Sequence, residues 1–544
     1  MENQPHYLDE INILIVDDSK TSSMLIRQQI VSLGVKYDAI ESVTSYQETI
    51  KAVGLRHYDL LIMDYHLEQS LNGHELTTLL YKNRLIDSST GVLIISGDSR
   101  QETVLTSLSG KVKHFISKPI KTQDLHNKVK TIVRERELLN QIEPLLKHPT
   151  PQLTGKLIEL VEQLNFQISL ESSLIDLLIQ HELWDTLAEY LAHSQSSKHP
   201  TKVYAQAALL DMEGRTDEAL KYLSDYIVQK PLSLNVMDYL SVLYEQQGDT
   251  EEALHWALKS FEFTPSVSDR AIRASQLSAK LNKRESVIKV GYTFANHLSL
   301  ADGNWLHAII EYGHSLEAVY INTERFSSKR ELLQHFNNFL KMAEQRLLGN
   351  KKGHLISYRL MFQSRLLLHE NKLEGSHKKI LQCIAPYYDN LMDCPAEIAH
   401  EALSILELFG ELWLHNHLSK VLHKQLNSVT KTSTDLLTTL PFDVEHLKEL
   451  YEILPEGGSR ATDLETIAIY ETIIHRYPYS TEAKIRYLHA VRVSQEIPNH
   501  NPHALITTLS DLELPPNWSR WVTNLKKVGT KAAPPAPFSA ALNT

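Results

Sequence analysis

The chain is poor in cysteine: Cys383 and Cys394 are its only two in 544 residues. Two thiols cannot build the disulfide framework of a small secreted scaffold or a four-cysteine zinc site, and they suit a reducing compartment. Long apolar runs are missing as well. None approaches the ~20 residues of a membrane-spanning helix, and the opening MENQPHYLDE is polar and acidic, unlike a secretory signal. Positive charge is not in excess, since 55 Lys and Arg stand against 66 Asp and Glu, for a formal net charge of −11. That balance gives no overall attraction to nucleic acid or anionic lipid. No glycine-rich loop leads into Gly-Lys-Ser/Thr, so a P-loop nucleotide site is unsupported. His-Glu pairs begin at His74, His181, His369 and His400, yet none has the second histidine of a metalloprotease helix. The 42% of hydrophobic residues suffices for several packed domains. The expectation is a multidomain, cytoplasmic protein without membrane insertion.

The first 130 residues alternate short apolar runs with helical spacing. INILIV (11–16), LLIM (60–63) and VLII (92–95) read as strands buried on both faces; YDAIESV (37–43) and HFIS (114–117) read as two more. Helical spacing recurs at 22–33, 45–52, 73–83 and 101–107. A further helix starts near Thr122, whose hydroxyl and the following Asp124 suit an N-terminus. Five such units predict a doubly wound α/β domain with a five-stranded parallel sheet. Ligands of this architecture sit beyond the carboxyl ends of the strands.

Polar residues gather at those ends. Asp17 and Asp18 follow the first run, Asp64 the third, Ser96 the fourth and Lys118 the fifth. Three carboxylates packed together repel unless they are protonated or bound to a cation. An oxygen-only site with few protein ligands suits Mg²⁺, which keeps several of its waters. Lys118 offers a fixed positive charge and Ser96 a hydroxyl, the groups an arriving phosphoryl needs. A single aspartate here would read as a cap; five residues converging on one crevice read as a site.

The order DD…D…S…KP resembles the CheY-like receiver domain of two-component response regulators, over residues 11–133 and with a domain span of 1–133. The resemblance implies that Asp64 is the phosphoacceptor, supplied by a histidine kinase or phosphotransfer protein. It implies Mg²⁺ held by Asp17, Asp18, Asp64 and the backbone carbonyl of His66. Ser96 and Lys118 would meet the phosphoryl group, Phe115 would be the aromatic switch, and Lys118-Pro119 would carry the family's cis peptide. The stretch DYHLEQSLNG departs from many receivers in lacking a proline after the acceptor. His66 and Asp98 occupy the variable positions flanking the water of dephosphorylation.

Beyond 125 a charged helical pattern continues to 148, with Pro144 inside it, so residues 134–152 read as a helical linker. Then a period emerges. GRTDEAL (214–220) recurs as GDTEEAL (248–254), and the same 34-residue offset relates Ala207 to Ser241, Leu210 to Tyr244 and Pro231 to Pro265. This resembles the tetratricopeptide repeat (TPR). The next frame, 266–299, keeps helical spacing but loses the glycine and the proline. Helical patterns over 153–180, 183–194, 331–348, 355–368, 377–388 and 397–426 extend the series, and LETIAIYETIIHRYP (464–478) again looks like part of a repeat. The expectation is an all-α, TPR-like solenoid over 153–525, clearest at 200–265 and again near 464–491. A disordered, APPAP-containing tail over 526–544 would follow.

The arrangement resembles bacterial receiver–TPR regulators of the VieB-like kind. It implies no enzyme beyond receiver-assisted phosphotransfer and autodephosphorylation, and an output through phosphorylation-controlled binding of an unknown protein ligand to the repeats. A homodimer is compatible with this, and nucleic acid is not an expected partner. A second reading makes the chain a phosphoryl sink that competes with another regulator for the same kinase.

Overall fold

Runs that are apolar on both faces can form only the inner strands of a covered sheet. Among the described residues, the computed structural model has five strands: β1 (Ile13–Val16), β2 (Ile40–Val43), β3 (Leu60–Asp64), β4 (Gly91–Ser96) and β5 (His114–Ser117). All pair in parallel, in the order β2-β1-β3-β4-β5. β1 and β3 are buried throughout, whereas β2, at an edge, exposes Glu41 and Ser42. The strand order reverses between β1 and β3, which opens a crevice at their carboxyl ends.

The structure describes residues 11–67, 72–87, 89–97, 112–265, 267–298, 304–347, 349–425, 444–452, 464–494 and 499–538. The helix expected at 101–107 and Asp98 lie outside these residues. The chain divides into two compact units, Met1–Arg346 and Leu347–Thr544.

In the first unit, helices α1 (Lys20–Ser32), α2 (Tyr46–Leu55), α3 (Gly73–Lys82) and α4 (Thr122–Lys147) accompany the sheet. Leu14, Val16, Leu61, Met63, Val92 and Ile94 fill one face with Ala52 of α2 and Leu76, Leu79 and Leu80 of α3. Ile13, Ile15, Leu60, Ile62, Leu93 and Ile95 fill the other with Ile26 and Ile30 of α1 and Leu125, Val129, Ile132 and Val133 of α4. The odd and even positions of each strand thus serve opposite faces, as the pleat demands.

Thr122 is not the cap of α4. Lys121 holds that position without a side-chain bond, and Asp124 in the first turn supplies the favourable charge. The helix runs 26 residues, through Pro144, or about 39 Å at 1.5 Å per residue. Its second half, with Leu138, Leu139, Ile142 and Leu146, enters a different core. That core is built with α5 (Leu153–Glu162), α6 (Ile168–Gln180), α7 (Trp184–His193) and α8 (Pro200–Met212). One helix therefore belongs to two cores, and the segment read as a linker lies largely inside it.

Helices α9 (Thr216–Gln229), α10 (Leu234–Gln246), α11 (Thr250–Phe263), α12 (Ser268–Lys280) and α13 (Arg284–His297) follow. Gly214, Gly248 and Asn282, spaced 34 residues apart, join α8–α9, α10–α11 and α12–α13 with φ of 77°, 85° and 53°. At each turn the next residue's N–H returns to a carbonyl five residues back: Arg215 to Leu210, Asp249 to Tyr244, and Lys283 to Ser278, at 2.8–2.9 Å. This is the hydrogen bond of a Schellman cap. Frame 266–299 keeps the same turn after losing its glycine because asparagine tolerates the left-handed conformation. Ala207, Ser241 and Ser275 share the spacing, and all are fully buried. The spacing ends with α14 (Trp305–Ile321) and α15 (Phe326–Arg346), of 17 and 21 residues.

The second unit contains α16 (Asn350–His369), α17 (Leu373–Ile384), α18 (Ala396–Leu408), α19 (Leu412–Gln425) and α20 (Val444–Glu452). It continues with α21 (Leu464–Arg476), α22 (Thr481–Ser494), α23 (Pro502–Ser510) and α24 (Pro516–Val528). The 397–426 pattern is two helices, because Gly410 turns the chain at φ 71°. The expected tail also differs from its prediction: 526–528 end α24, and the chain beyond returns onto that helix, with Phe538 buried. A segment too poor in apolar residues to make a core has borrowed one. Among the described residues, no helix is long and apolar enough to cross a membrane.

Candidate functional site

Each polar residue at the crevice is delivered by the strand before it. β1 ends at Val16, so Asp17 and Asp18 emerge between the strand and α1. Ser19 caps α1 by accepting from the Ser22 N–H at 3.3 Å, which fixes the turn. Within that turn Asp17 accepts from the Ser19 N–H at 2.9 Å and from the Ser22 hydroxyl at 2.5 Å. Asp17 is buried, whereas Asp18 is exposed. Asp64 ends β3, Ser96 ends β4, and Lys118 follows β5, where its N–H donates to the Ser96 carbonyl at 2.7 Å.

These strand ends bring the carboxylates and the lysine together. Lys118 Nζ lies 3.1 Å from Asp17 Oδ2 and 3.1 Å from Asp64 Oδ2. Carboxylate oxygens of Asp17, Asp18 and Asp64 fall within 4.8 Å of one another. Burial pushes the Asp64 carboxyl above its ordinary pKa, and the Asp17 charge adds to this. The charge and hydrogen bond of Lys118 and the backbone N–H of His66 oppose it. Burial pulls the Lys118 ammonium down, but the two aspartates outweigh it and the net shift is upward. An ammonium stabilised this way is a fixed cation.

Ser96 is fully buried at the adjacent strand end. Phe115 is half-buried, on the side of the sheet packed by α2 and α3. His66 is exposed beside the acceptor strand. The Lys118-Pro119 peptide is cis. The donor set around the three aspartates consists of oxygens only, with one exposed member, which fits a hard divalent cation that keeps part of its water shell.

Two supporting residues escaped the sequence reading. Ser22 steadies Asp17 from the first turn of α1, and the only sequence sign was a run of hydroxyls after the aspartate pair. Gly73, at the start of α3, lies against the acceptor backbone: a Cβ there would sit 2.3 Å from the Asp64 carbonyl oxygen and 3.1 Å from Met63 Cγ. Gly73→Ala is therefore expected to force the end of β3 and the start of α3 apart. The cost should be about 1–3 kcal/mol, the usual range for overpacking, measured as a lower midpoint in thermal unfolding. An unchanged midpoint would show that α3 yields freely.

Comparison with known proteins agrees with this geometry. A family model described as the response regulator receiver domain matches residues 13–130. The sensor protein EvgS of Escherichia coli (strain K12) is 30% identical over 146 residues. That match covers 27% of this chain and 11% of EvgS, so the chain spans only a small part of that relative. A solved yeast Spc42 trimeric coiled-coil fusion is 21% identical at a TM-score of 0.22, covering 29% of this chain and 94% of that one. A likeness that weak carries no argument. The strand order, the acidic cluster with its lysine and the family match agree: residues 13–130 form a response regulator receiver domain, a phosphoacceptor module of two-component signalling.

Proposed function

We propose that this chain is a response regulator in which Asp64 accepts a phosphoryl group and the helical region delivers the output by binding another protein. The observation that carries the reading is Lys118 held 3.1 Å from both Asp17 and Asp64 at the carboxyl ends of the central strands. The donor is a phosphohistidine on a histidine kinase or phosphotransfer protein. An Asp64 carboxylate oxygen attacks phosphorus, the P–N bond breaks, and its electron pair returns to the imidazole, which takes up a proton. Asp17, Asp18, Asp64 and the His66 carbonyl would hold Mg²⁺, which supplies positive charge against the phosphoryl oxygens when bound. Lys118 provides the protein's own cation there, and the Ser96 hydroxyl donates a hydrogen bond to the phosphoryl group.

Phe115 is the element proposed to register the new group. Two residues just before it, His114 at the start of β5 and Lys113 preceding the strand, favour this role, because they are tied to helices outside the sheet. His114 Nε2 lies 2.8 Å from Glu135 Oε2 of α4, and the other Glu135 oxygen accepts from Ser169 of α6. Lys113 Nζ donates to Ser172 of α6 at 2.7 Å and pairs with Asp176 at 3.4 Å. A change at β5 that favours one arrangement of these contacts would bias α4 and α6. The 34-residue recurrence of turns and small buried residues supports reading the helical region as TPR-like, with a protein ligand.

The test is incubation of the full chain with Mg²⁺ and acetyl phosphate, followed by intact-mass analysis and borohydride mapping of any acyl phosphate. One phosphoryl group on the peptide containing Asp64 is the expected result. A chain left unmodified both by acetyl phosphate and by a panel of phosphorylated kinases would sink the reading.

A further inference from the structure

Residues 531–538, KAAPPAPF, run back along α24 in the opposite direction. Trp521 Nε1 donates to the Ala532 carbonyl at 2.9 Å, Trp518 Nε1 to Pro535 at 2.8 Å, and Asn517 Nδ2 to Ala536 at 3.1 Å. Three side-chain donors from one helix thus meet three main-chain acceptors in antiparallel register. Pro534, Pro535 and Pro537 have no N–H, so this stretch offers a partner mainly carbonyls and apolar rings. An indole answers both needs, with a flat apolar face and one donor. Aromatic-lined grooves recognise extended proline-rich segments by this chemistry.

Phe538, directly after the last proline, is an anchor. Phe538 is only 3% exposed, and its ring centroid lies 4.9 Å from His417, 5.7 Å from Trp413 and 6.0 Å from Tyr388. Trp413 is held independently of the segment, by Glu411 and by the Thr481 hydroxyl at 3.0 Å. The anchor pocket is therefore pre-organised. Ala532, Ala533, Pro535 and Ala536 remain exposed, while Pro534 and Pro537 are half-buried. Full burial is thus confined to Phe538. This segment is held by one anchor, three carbonyls and two rings, as a bound peptide is.

We propose that the surface formed by Asn517, Trp518, Trp521, Trp413, Tyr388 and His417 is a peptide-binding site for extended proline-rich segments with an aromatic anchor after the last proline. Residues 531–538 are its occupant in cis. Joined to α24 by a short connection, the occupant competes at an effective concentration on the order of millimolar. A segment from another protein enters when the cis copy is weakened.

The test uses the full chain and a fluorescein-labelled peptide of sequence KAAPPAPF, followed by anisotropy. Phe538→Asp removes the cis anchor and is expected to bind the peptide roughly 10–100-fold more tightly than the unmodified chain, through loss of that competition. Pro537→Asp, a milder weakening, should give a smaller gain. Adding Trp521→Phe to Phe538→Asp removes one indole donor and should weaken peptide binding about tenfold. Far-UV circular dichroism and thermal melts accompany each variant. Failure of both folded tail variants to bind the peptide would overturn the proposal, as would binding indifferent to Trp521→Phe. Unfolding of both tail variants would also overturn it, because the segment would then be core and not a displaceable ligand.

Discussion

Asp64→Ala is expected to abolish phosphoryl uptake from acetyl phosphate, and Lys118→Ala to slow it by roughly 10²–10³-fold, the usual cost of removing one pre-positioned charge donor. The two losses have different causes. Without Asp64 there is no nucleophile at the end of β3. Without Lys118 the nucleophile remains, but Asp17 and Asp64 lose the ammonium that lies 3.1 Å from each. Negative charge building on the phosphoryl oxygens would then meet uncompensated carboxylates. Lys118→Arg keeps the charge but replaces a compact ammonium with a planar fork, so it should recover only part of the rate. Initial rates by intact mass at saturating Mg²⁺ separate these outcomes. A Lys118→Ala chain that is phosphorylated at the unmodified rate would remove the lysine from the mechanism.

The second large effect lies away from the site. Glu171 on α6 is fully buried and accepts from Tyr190 Oη at 3.2 Å, His199 Nε2 at 3.2 Å and the Ser194 hydroxyl. Lys202 stands beside it, donating to Ser194 Oγ at 2.9 Å. Glu171→Leu would leave several buried donors without their acceptor and the nearby Lys202 ammonium without its countercharge. The expected destabilisation is about 3–5 kcal/mol, the range for breaking a buried charged pair. Glu171→Gln keeps the shape and one acceptor and should cost less. Urea unfolding measures both, and no change in midpoint for Glu171→Leu would contradict the network.

This carboxyl also predicts an acid response. Burial raises its pKa, but the bonds from His199, Ser194 and Ser196 and the Lys202 charge outweigh it and hold the carboxyl at about 2, against an ordinary value of 4.5. Because the folded value is depressed, its contribution is complete above about 4.5 and is lost as pH falls towards 2. The unmodified chain should therefore lose more stability across that window than Glu171→Gln does. Equal acid slopes would rule this group out as the source.

Local pattern in the chain locates the strands and the polar residues at their carboxyl ends. Continuous apolar runs mark the central parallel strands β1, β3 and β4 within four to six residues, so Asp17, Asp64 and Ser96 are assigned to carboxyl ends from local pattern alone, whereas β5 before Lys118 is an edge strand with a weaker pattern. Local pattern also marks the repeated turns at Gly214 and Gly248, where a left-handed residue has a recognisable identity. The remainder depends on contacts between residues far apart in the chain. Lys118 meets Asp17 and Asp64 across 101 and 54 residues because β1, β3 and β5 lie in one sheet in a given order, and no local periodicity encodes that order. Ser22 and Gly73 gain their roles from what faces them, so their residue types give little notice. The helical pattern to 148 is legible in sequence, but that the second half of α4 enters a second core is set by the helices packed against it. The composition of the tail predicts disorder because it cannot make a core by itself. Composition describes what a segment can bury within itself, and Phe538 is buried by residues more than a hundred positions away.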